Sequence, residues 1–522
     1  MLLGAIVVIA PKMLLEFRKS LDQGKGRELA QGKRHHGESI TRQWKRTCRQ
    51  RSLESRCEPI PTRLHRPRQS IARVGRTLFH LAEWDRYLHD FTSSVPLTSA
   101  VVRHAPRMYR LTPIKHAYLQ SRTVLRFSTM TQRPISTRVL DDKLNPDPQG
   151  AKAHHVGNPP SGHFENPWPS SKAIGFGSAF QTKFGNSSEK DNVPIPQGPN
   201  GARSEELVRV RKPEWAQDKP DRLRATWIGH ASFLVETPAL NGASRGVRIL
   251  FDPVFSERTS PVGFLGPKRY TPVPCSIDEL PEIDIVCISH NHYDHLDIHT
   301  VTELQRIRKD KIHYLAGLNT KPWFEAHVCP EEQVTDLDWW QSCEVEVEGL
   351  GSVKLTCLPC QHASRRSLSD GDKALWCSWA LEAGGKKLYF AGDTAYQAVD
   401  TPSPCPAFIQ IGQALGPFDL SLLPIGLFKP QTFMGGVHSS PEQSLEIHKE
   451  VKSKLSLGMH YGTFRGGISQ AYEDVREPPR RWREAAEKEG LWLGGGVGGD
   501  GTPVDVKREG VGLCDVGETV AV

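Results

Sequence analysis

From about residue 225 onward, apolar residues fall into short runs separated by polar and turn-forming stretches. Alternation in Ala225-Thr-Trp-Ile-Gly-His-Ala-Ser-Phe-Leu-Val235 predicts the strand that opens a sheet, and Gly246-Val-Arg-Ile-Leu-Phe-Asp252 continues it. Four further runs, Asp284-Ile-Val-Cys-Ile288, Lys354-Leu-Thr-Cys-Leu358, Lys387-Leu-Tyr-Phe-Ala391 and Leu455-Ser-Leu-Gly-Met459, have the length and β-branched or aromatic content of buried strands. Between them, Thr300 to Ile307 and Pro441 to His448 read as helices, as does charged Arg480 to Lys488. Strands interleaved with helices predict an α/β sandwich.

Ahead of residue 223 the pattern is lost. Residues 16 to 75 are dense in Arg, Lys, His and Gln, and 141 to 222 are rich in Pro, Gly, Asn and Ser, so neither stretch has the periodicity that buries a core. The 522 residues are 38% hydrophobic with mean hydropathy −0.45. That is enough for one domain of about 250 to 350 residues. We divide the chain into a basic, largely unstructured extension (1–155), an extended arm (156–222), a catalytic domain (223–495) and a tail (496–522) that begins in a Gly-rich stretch and ends in an edge-strand candidate. Phe164-Glu-Asn-Pro-Trp-Pro169 is expected to pack on the domain within that arm.

The chemistry sits at the ends of the predicted strands. His290, His292, Asp294 and His295 crowd the turn after Ile288, while His362, Asp393 and His460 each follow another apolar run. In extended chain His290 and His292 project to one side, and a turn returns Asp294 and His295 toward the same point. Imidazole nitrogen and carboxylate oxygen suit zinc and its first-row neighbours, and a carboxylate can bridge two cations. These seven side chains predict a two-metal hydrolase.

The spacing His-x-His-x-Asp-His, followed by strand-terminal His, Asp and His, resembles the metallo-β-lactamase superfamily over residues 225 to 465. Within it the chain is similar to the N-acylphosphatidylethanolamine-hydrolysing phospholipase D family. The phrases that carry the resemblance include Thr226-Trp-Ile-Gly-His-Ala231, Gly266-Pro-Lys-Arg269, Leu337-Asp-Trp-Trp340, Phe390-Ala-Gly-Asp-Thr394 and His460-Tyr-Gly-Thr-Phe464. The Asn-Pro-Trp-Pro of the arm is likewise similar to a phrase that opens the family's catalytic part. The resemblance implies an αβ/βα four-layer sandwich and two Zn2+. His290, His292 and His362 would hold one ion, Asp294, His295 and His460 the other, and Asp393 would lie between them. It also implies water activated by the metal pair as nucleophile, release of N-acylethanolamine and phosphatidic acid, and homodimerisation.

His438, where the family has a histidine before the last ligand, is expected to assist the leaving group or else to cap the helix starting near Pro441. Asp294 is expected to accept a proton as well as bind metal. Tyr293 could touch substrate or pack beneath the site. The sequence departs from the family around Pro261 to Phe264 and Lys429 to Met434. The apolar side chains there, Phe264, Leu265, Leu427, Phe428, Phe433 and Met434, suit acyl chains, with Phe264 expected to bind substrate. Neither the paired His-x-Lys-x4-Asp motif of another phospholipase D class nor a serine nucleophile elbow is read here. The alternatives are a hydrolase of another phosphodiester, ester or lactone, and a non-catalytic binding member, which the complete ligand set disfavours.

Net charge is +8 with pI near 8.9. A basic surface serves anionic lipid, nucleic acid or an import system. We expect phospholipid at a membrane surface as substrate, and no nucleic acid. Residues 91 to 140 contain no acidic residue but eight Arg or Lys, as mitochondrial presequences do, and a start at Met108 would place them first. The apolar run Leu2 to Ala10, ended by Pro11, is too short to span a bilayer. Eleven cysteines at irregular spacing fit a reducing, intracellular location and not secretion. Cys357-Leu-Pro-Cys360 is read as packing, and the sequon at Asn186 as unused.

Overall fold

The computed structural model describes residues 134–140, 144–146, 152–157, 162–172, 182, 190, 195, 208–240, 242–367, 369–466, 468–496 and 503–522. The expectations for Met108, Asn186 and the first apolar run fall outside these residues.

Two mixed sheets form the frame. One runs Ile135–Leu140, Ser342–Val347, Gly351–Leu358, Ser378–Ala383, Lys386–Phe390, Leu420–Pro424, Leu455–Met459 and Gly510–Gly512. Its first five strands are antiparallel neighbours, and the pairings from Lys386–Phe390 onward are parallel. The other runs Val334–Leu337, His313–Gly317, Ile285–Cys287, Arg248–Phe251, Ser232–Glu236, Arg224–Gly229 and Thr519–Ala521.

Alternation along these strands decides the layers. In the seven-stranded sheet Trp227, Phe233, Phe251, Cys287 and Leu315 join one core with Trp379, Phe390, Leu422 and Leu457 of the larger sheet. Across that core the Phe251 and Phe390 rings stack at 4.7 Å. Their neighbours Ile228, Leu234, Leu250, Val286 and Tyr314 face the opposite way, against Val301, Leu304 and Phe324 of the helices Ile298–Arg308 and Lys321–His327. On the larger sheet the helices Pro441–Glu450 and Glu477–Lys488 pack together, and Trp482 Nε1 donates to the Gly512 carbonyl at 3.1 Å. This is the αβ/βα sandwich that the resemblance implies.

Three boundaries need correction. Ile135–Leu140, inside the stretch assigned as unstructured, is the edge strand of the larger sheet, with Arg138 paired to Glu344 at 2.5 Å. It buries only Ile135, so it carries no hydrophobic alternation to read. His154, buried, and His155, half-buried, bind the two carboxylate oxygens of Asp338 at 2.7 and 2.9 Å, which anchors the arm on the Leu337-Asp-Trp-Trp340 segment. The tail beginning at residue 496 is part of the domain, since besides the expected edge strand Thr519–Ala521 it supplies Gly510–Gly512 to the larger sheet. The nine described cysteines are buried and free, in keeping with a packing role for Cys357 and Cys360. Among the described residues, no helix is long and apolar enough to cross a membrane.

One buried histidine makes stability depend on pH. His448 lies under the Pro441–Glu450 helix with Nδ1 2.8 Å from Ser456 Oγ. Burial, aided by Lys449 and opposed by Glu489, pushes its imidazole down to about 4. The unfolded chain then takes up a proton near pH 6.5 that the folded chain refuses until about pH 4. The contribution of His448 to stability is therefore complete above pH 6.5 and falls by at most about 3 kcal/mol toward pH 4. Urea unfolding of His448→Gln should show a shallower loss over that window; parallel curves would refute the assignment.

Candidate metal centre

The centre lies where strands of both sheets end. After Ile285–Cys287 the chain reaches Ser289, whose N–H and Oγ donate to Asp252 at 2.7 and 2.5 Å. The loop then turns through 290–296 and enters the next helix at Asp297, whose carboxylate accepts from His299 N, Phe255 N and Ser256 N. Just past the facing strand Lys386–Phe390, Gly392 has φ +59, and a Cβ there would lie 2.6 Å from Ser289 Cβ. Only glycine lets Asp393 approach the His290 loop so closely.

Three imidazole nitrogens converge on one point. His290 Nε2 is 2.8 Å from His292 Nδ1, and His362 Nε2 is 3.2 and 3.3 Å from those two. Beside them stand Asp294, His295 and His460, grouped with His230. Asp393 faces both sets: its Oδ2 lies 3.1 Å from His295 Nε2, 3.9 Å from His290 Nε2 and 3.8 Å from His362 Nε2, and its Oδ1 is 3.0 Å from His460 Nε2. His295 Nε2, Asp393 Oδ1 and both His460 nitrogens are buried without a hydrogen bond. Buried polar atoms are normally satisfied, so a knot of unpaired lone pairs aimed at shared points fits metal cations.

The outer nitrogens are held by partners that fix ring orientation. His295 Nδ1 is 2.7 Å from Asp252 Oδ2, His290 Nδ1 is 2.9 Å from Ser289 Oγ, and His362 Nδ1 is 2.7 Å from the Val437 carbonyl. Such contacts orient the inner nitrogen toward a metal. Arg366 braces the loop, donating to the carbonyls of Asn291 and Leu296 at 2.9 and 2.8 Å while its guanidinium lies 4.1 Å over the Tyr293 ring. The arm reaches the site as well, since Asn166 Nδ2 donates to the His362 carbonyl at 2.8 Å.

Burial and the neighbouring imidazoles hold His290 well below its ordinary pKa and His292 at about 3. Both rings are therefore neutral and able to donate a lone pair to a cation. For Asp393, burial opposes ionisation, but His295, His460 and His438 outweigh it and hold the carboxyl well down.

All seven expected ligands are thus brought together. His438 joins them, with Nε2 3.9 Å from Asp393 Oδ2 and Nδ1 buried and unpaired. It does not cap the following helix, because Ser440 does so by accepting from Gln443 N. Tyr293 packs: its hydroxyl donates to the Arg366 carbonyl at 2.8 Å. Phe264 stands 73% exposed on a loop tip, while Phe428 and Met434 are buried in place of lining an open groove. Gly242-Ala-Ser-Arg-Gly246 does spell Gly-x-Ser-x-Gly, but it connects two antiparallel strands and leaves Ser244 exposed, so it is no nucleophile elbow.

Two residues of the site were missed. Asp252 closes a predicted strand, and its only signal was that position. His230 Nε2 lies 3.0 Å from Asp294 Oδ2 with its ring 4.0 Å from that of His460, and the Gly-His-Ala turn was its only cue.

Residues 247–461 match the model of the beta-lactamase superfamily domain. The N-acyl-phosphatidylethanolamine-hydrolyzing phospholipase D 1 of Caenorhabditis elegans is 36% identical over 268 residues, 51% of this chain and 71% of that one. The mitochondrial N-acyl-phosphatidylethanolamine-hydrolyzing phospholipase D of Saccharomyces cerevisiae is 33% identical over 46% of this chain and 47% of its own length. A metal-dependent hydrolase of Methanosarcina mazei is 27% identical over 51% of this chain and 91% of its own. With this likeness and the convergent histidine and aspartate set, the chain is a metal-dependent hydrolase that belongs to the N-acylphosphatidylethanolamine-hydrolysing phospholipase D family of the metallo-β-lactamase superfamily.

Proposed function

We propose that the chain is a two-zinc phosphodiesterase that hydrolyses N-acylphosphatidylethanolamine at a membrane surface, giving N-acylethanolamine and phosphatidic acid. The observation that carries this reading is the position of Asp393, one carboxylate facing two convergent sets of candidate ligands. His290, His292 and His362 would hold one ion, and Asp294, His295 and His460 the other. Zinc held there supplies Lewis acidity that activates water near neutral pH and offsets the charge building on the phosphate.

The chain's own side chains do the rest. His230 fixes Asp294 through Oδ2, leaving its other oxygen to accept the proton of the attacking water. That water's oxygen bonds to phosphorus as the bond from phosphorus to the ethanolamine oxygen breaks. The departing oxygen needs a proton: Asp294 can pass on the one taken from the water, and His438, buried beside Asp393, is placed to assist by hydrogen-bonding that oxygen through its ring N–H. The cluster opens to solvent at half-exposed His292 and Asp294, where a head group can enter. A mitochondrial setting draws support from the yeast relative's name and from the acid-free stretch 91–140.

The test is lipid mass spectrometry after incubating the purified full chain with N-acylphosphatidylethanolamine vesicles, with metal analysis and a His292→Asn control. The expected outcome is both products from wild type, and from the variant a deficit of metal with no product. Two metals per chain with no lipid product would reject this substrate in favour of another phosphodiester.

A further inference from the structure

The loop from Thr259 to Pro267 carries no charge and turns its apolar residues outward. Phe264 is 73% exposed and Val262 36%, the former the most exposed large apolar side chain described. This exposure is built in. Ser260 Oγ lies 2.6 and 2.7 Å from the carbonyl oxygens of Val262 and Leu265, and Arg258 Nη1 donates to the Gly266 carbonyl at 2.8 Å. Gly266 has φ +87, and a Cβ there would meet Ser260 Cβ at 2.5 Å, so the turn is held closed behind the tip.

The tip has a basic base and a short path to the metal centre. Arg258 and exposed Lys268 bridge across its neck, and neither has a carboxylate within ion-pair distance among the described residues. Lys268–Arg269 then pairs with Phe464–Arg465, and the Phe464 ring stands edge-on to His230, 5.1 Å away. His230 is the residue bonded to Asp294. An aromatic tip above unpaired cations matches a layer whose interior is apolar and whose surface is anionic. The same tip is far smaller than the roughly 800 Å² per partner that a stable protein contact buries.

We propose that the 259–267 loop is the segment that enters the lipid interface, with Phe264 below the head groups and Arg258 and Lys268 among them, thereby holding the metal centre's mouth against the membrane. The inference rests on the reading that the substrate is a membrane phospholipid, and it moves Phe264 from substrate groove to anchor.

The experiment uses the full chain and vesicles of phosphatidylcholine and phosphatidylserine. A fluorophore that shifts blue in apolar surroundings is attached at Phe264→Cys and, as a control, at Val139→Cys, which is 50% exposed elsewhere. Vesicles should shift the label at 264 and not the one at 139. Phe264→Ser should slow turnover of vesicle substrate about tenfold while leaving turnover of a monomeric short-chain substrate unchanged. A label at 264 that shifts no more than that at 139, or a serine variant slowed equally on both substrates, would overturn the proposal. If the chain cleaves neither substrate, a blue shift at 264 still supports docking while the assigned reaction falls.

Discussion

Replacing Asp393 with alanine is expected to lower kcat/KM by about three orders of magnitude or more, because one change withdraws a ligand from both halves of the centre. Its Oδ2 faces His295, His290 and His362, and its Oδ1 faces His460, so no other side chain can take both places. The variant should purify with clearly less than two metals per chain, whereas circular dichroism should match wild type, since Asp393 anchors no core element. Elemental analysis beside steady-state kinetics checks this. Full metal content with activity within about tenfold of wild type would show that the carboxylate is not shared.

The second large effect is on stability. Glu236 sits between Arg224 and Arg248 in one cross-strand row, the register pairing it with each in turn. It accepts from Arg224 Nη2 through Oε1 and from Arg248 Nε at 2.7 Å through Oε2, with all three side chains at most 10% exposed. Glu236→Ala strands two buried guanidinium groups, and the expected loss is about 3–5 kcal/mol, read as a lower urea midpoint at unchanged slope. A Glu236→Ala, Arg224→Met, Arg248→Met triple variant should recover much of it, because removing the charges together also removes their desolvation penalty. A loss below about 1 kcal/mol in the single variant would mean that water reaches the row.

The seven candidate ligands were legible because strand-terminal positions are marked twice, by an apolar run and by a metal-binding side chain soon after it. Leu455–Met459 ahead of His460 is such a case, with structural bounds the same as those read. His230 was lost for the opposite reason. Ala225 to Val235 reads as one alternating strand, but the chain folds back at Gly229 and His230, with φ 106 and 54, into a hairpin. All eleven of these residues are buried, so alternation signals nothing about a turn. Folding back carries the histidine from mid-strand to the strand end, beside Asp294. The first edge strand failed similarly, since Ile135–Leu140 faces solvent at four of six positions, whereas Thr519–Ala521 takes the edge position read for the end of the tail. Asp252 needed the fold itself, since its role lies in contacts to Ser289 and His295 across the sheet.

The hairpin that carries His230 is held on its outer side by Thr519–Ala521, where Thr226 and Thr519, 293 positions apart, share a hydrogen bond. His230 N in turn bonds Thr463 Oγ1, 233 positions away. Closing contacts of such span is the slow part of folding, because loop entropy must be lost before the contact returns anything. His290, His292, Asp294 and His295 share one six-residue run, but His362, Asp393 and His460 join them only when both sheets are nearly complete. A cation arriving early finds only part of each ligand set, in contrast to small zinc domains that fold upon their metal. Full occupancy of both ligand sets is therefore expected only once Thr519–Ala521 has docked beside the hairpin.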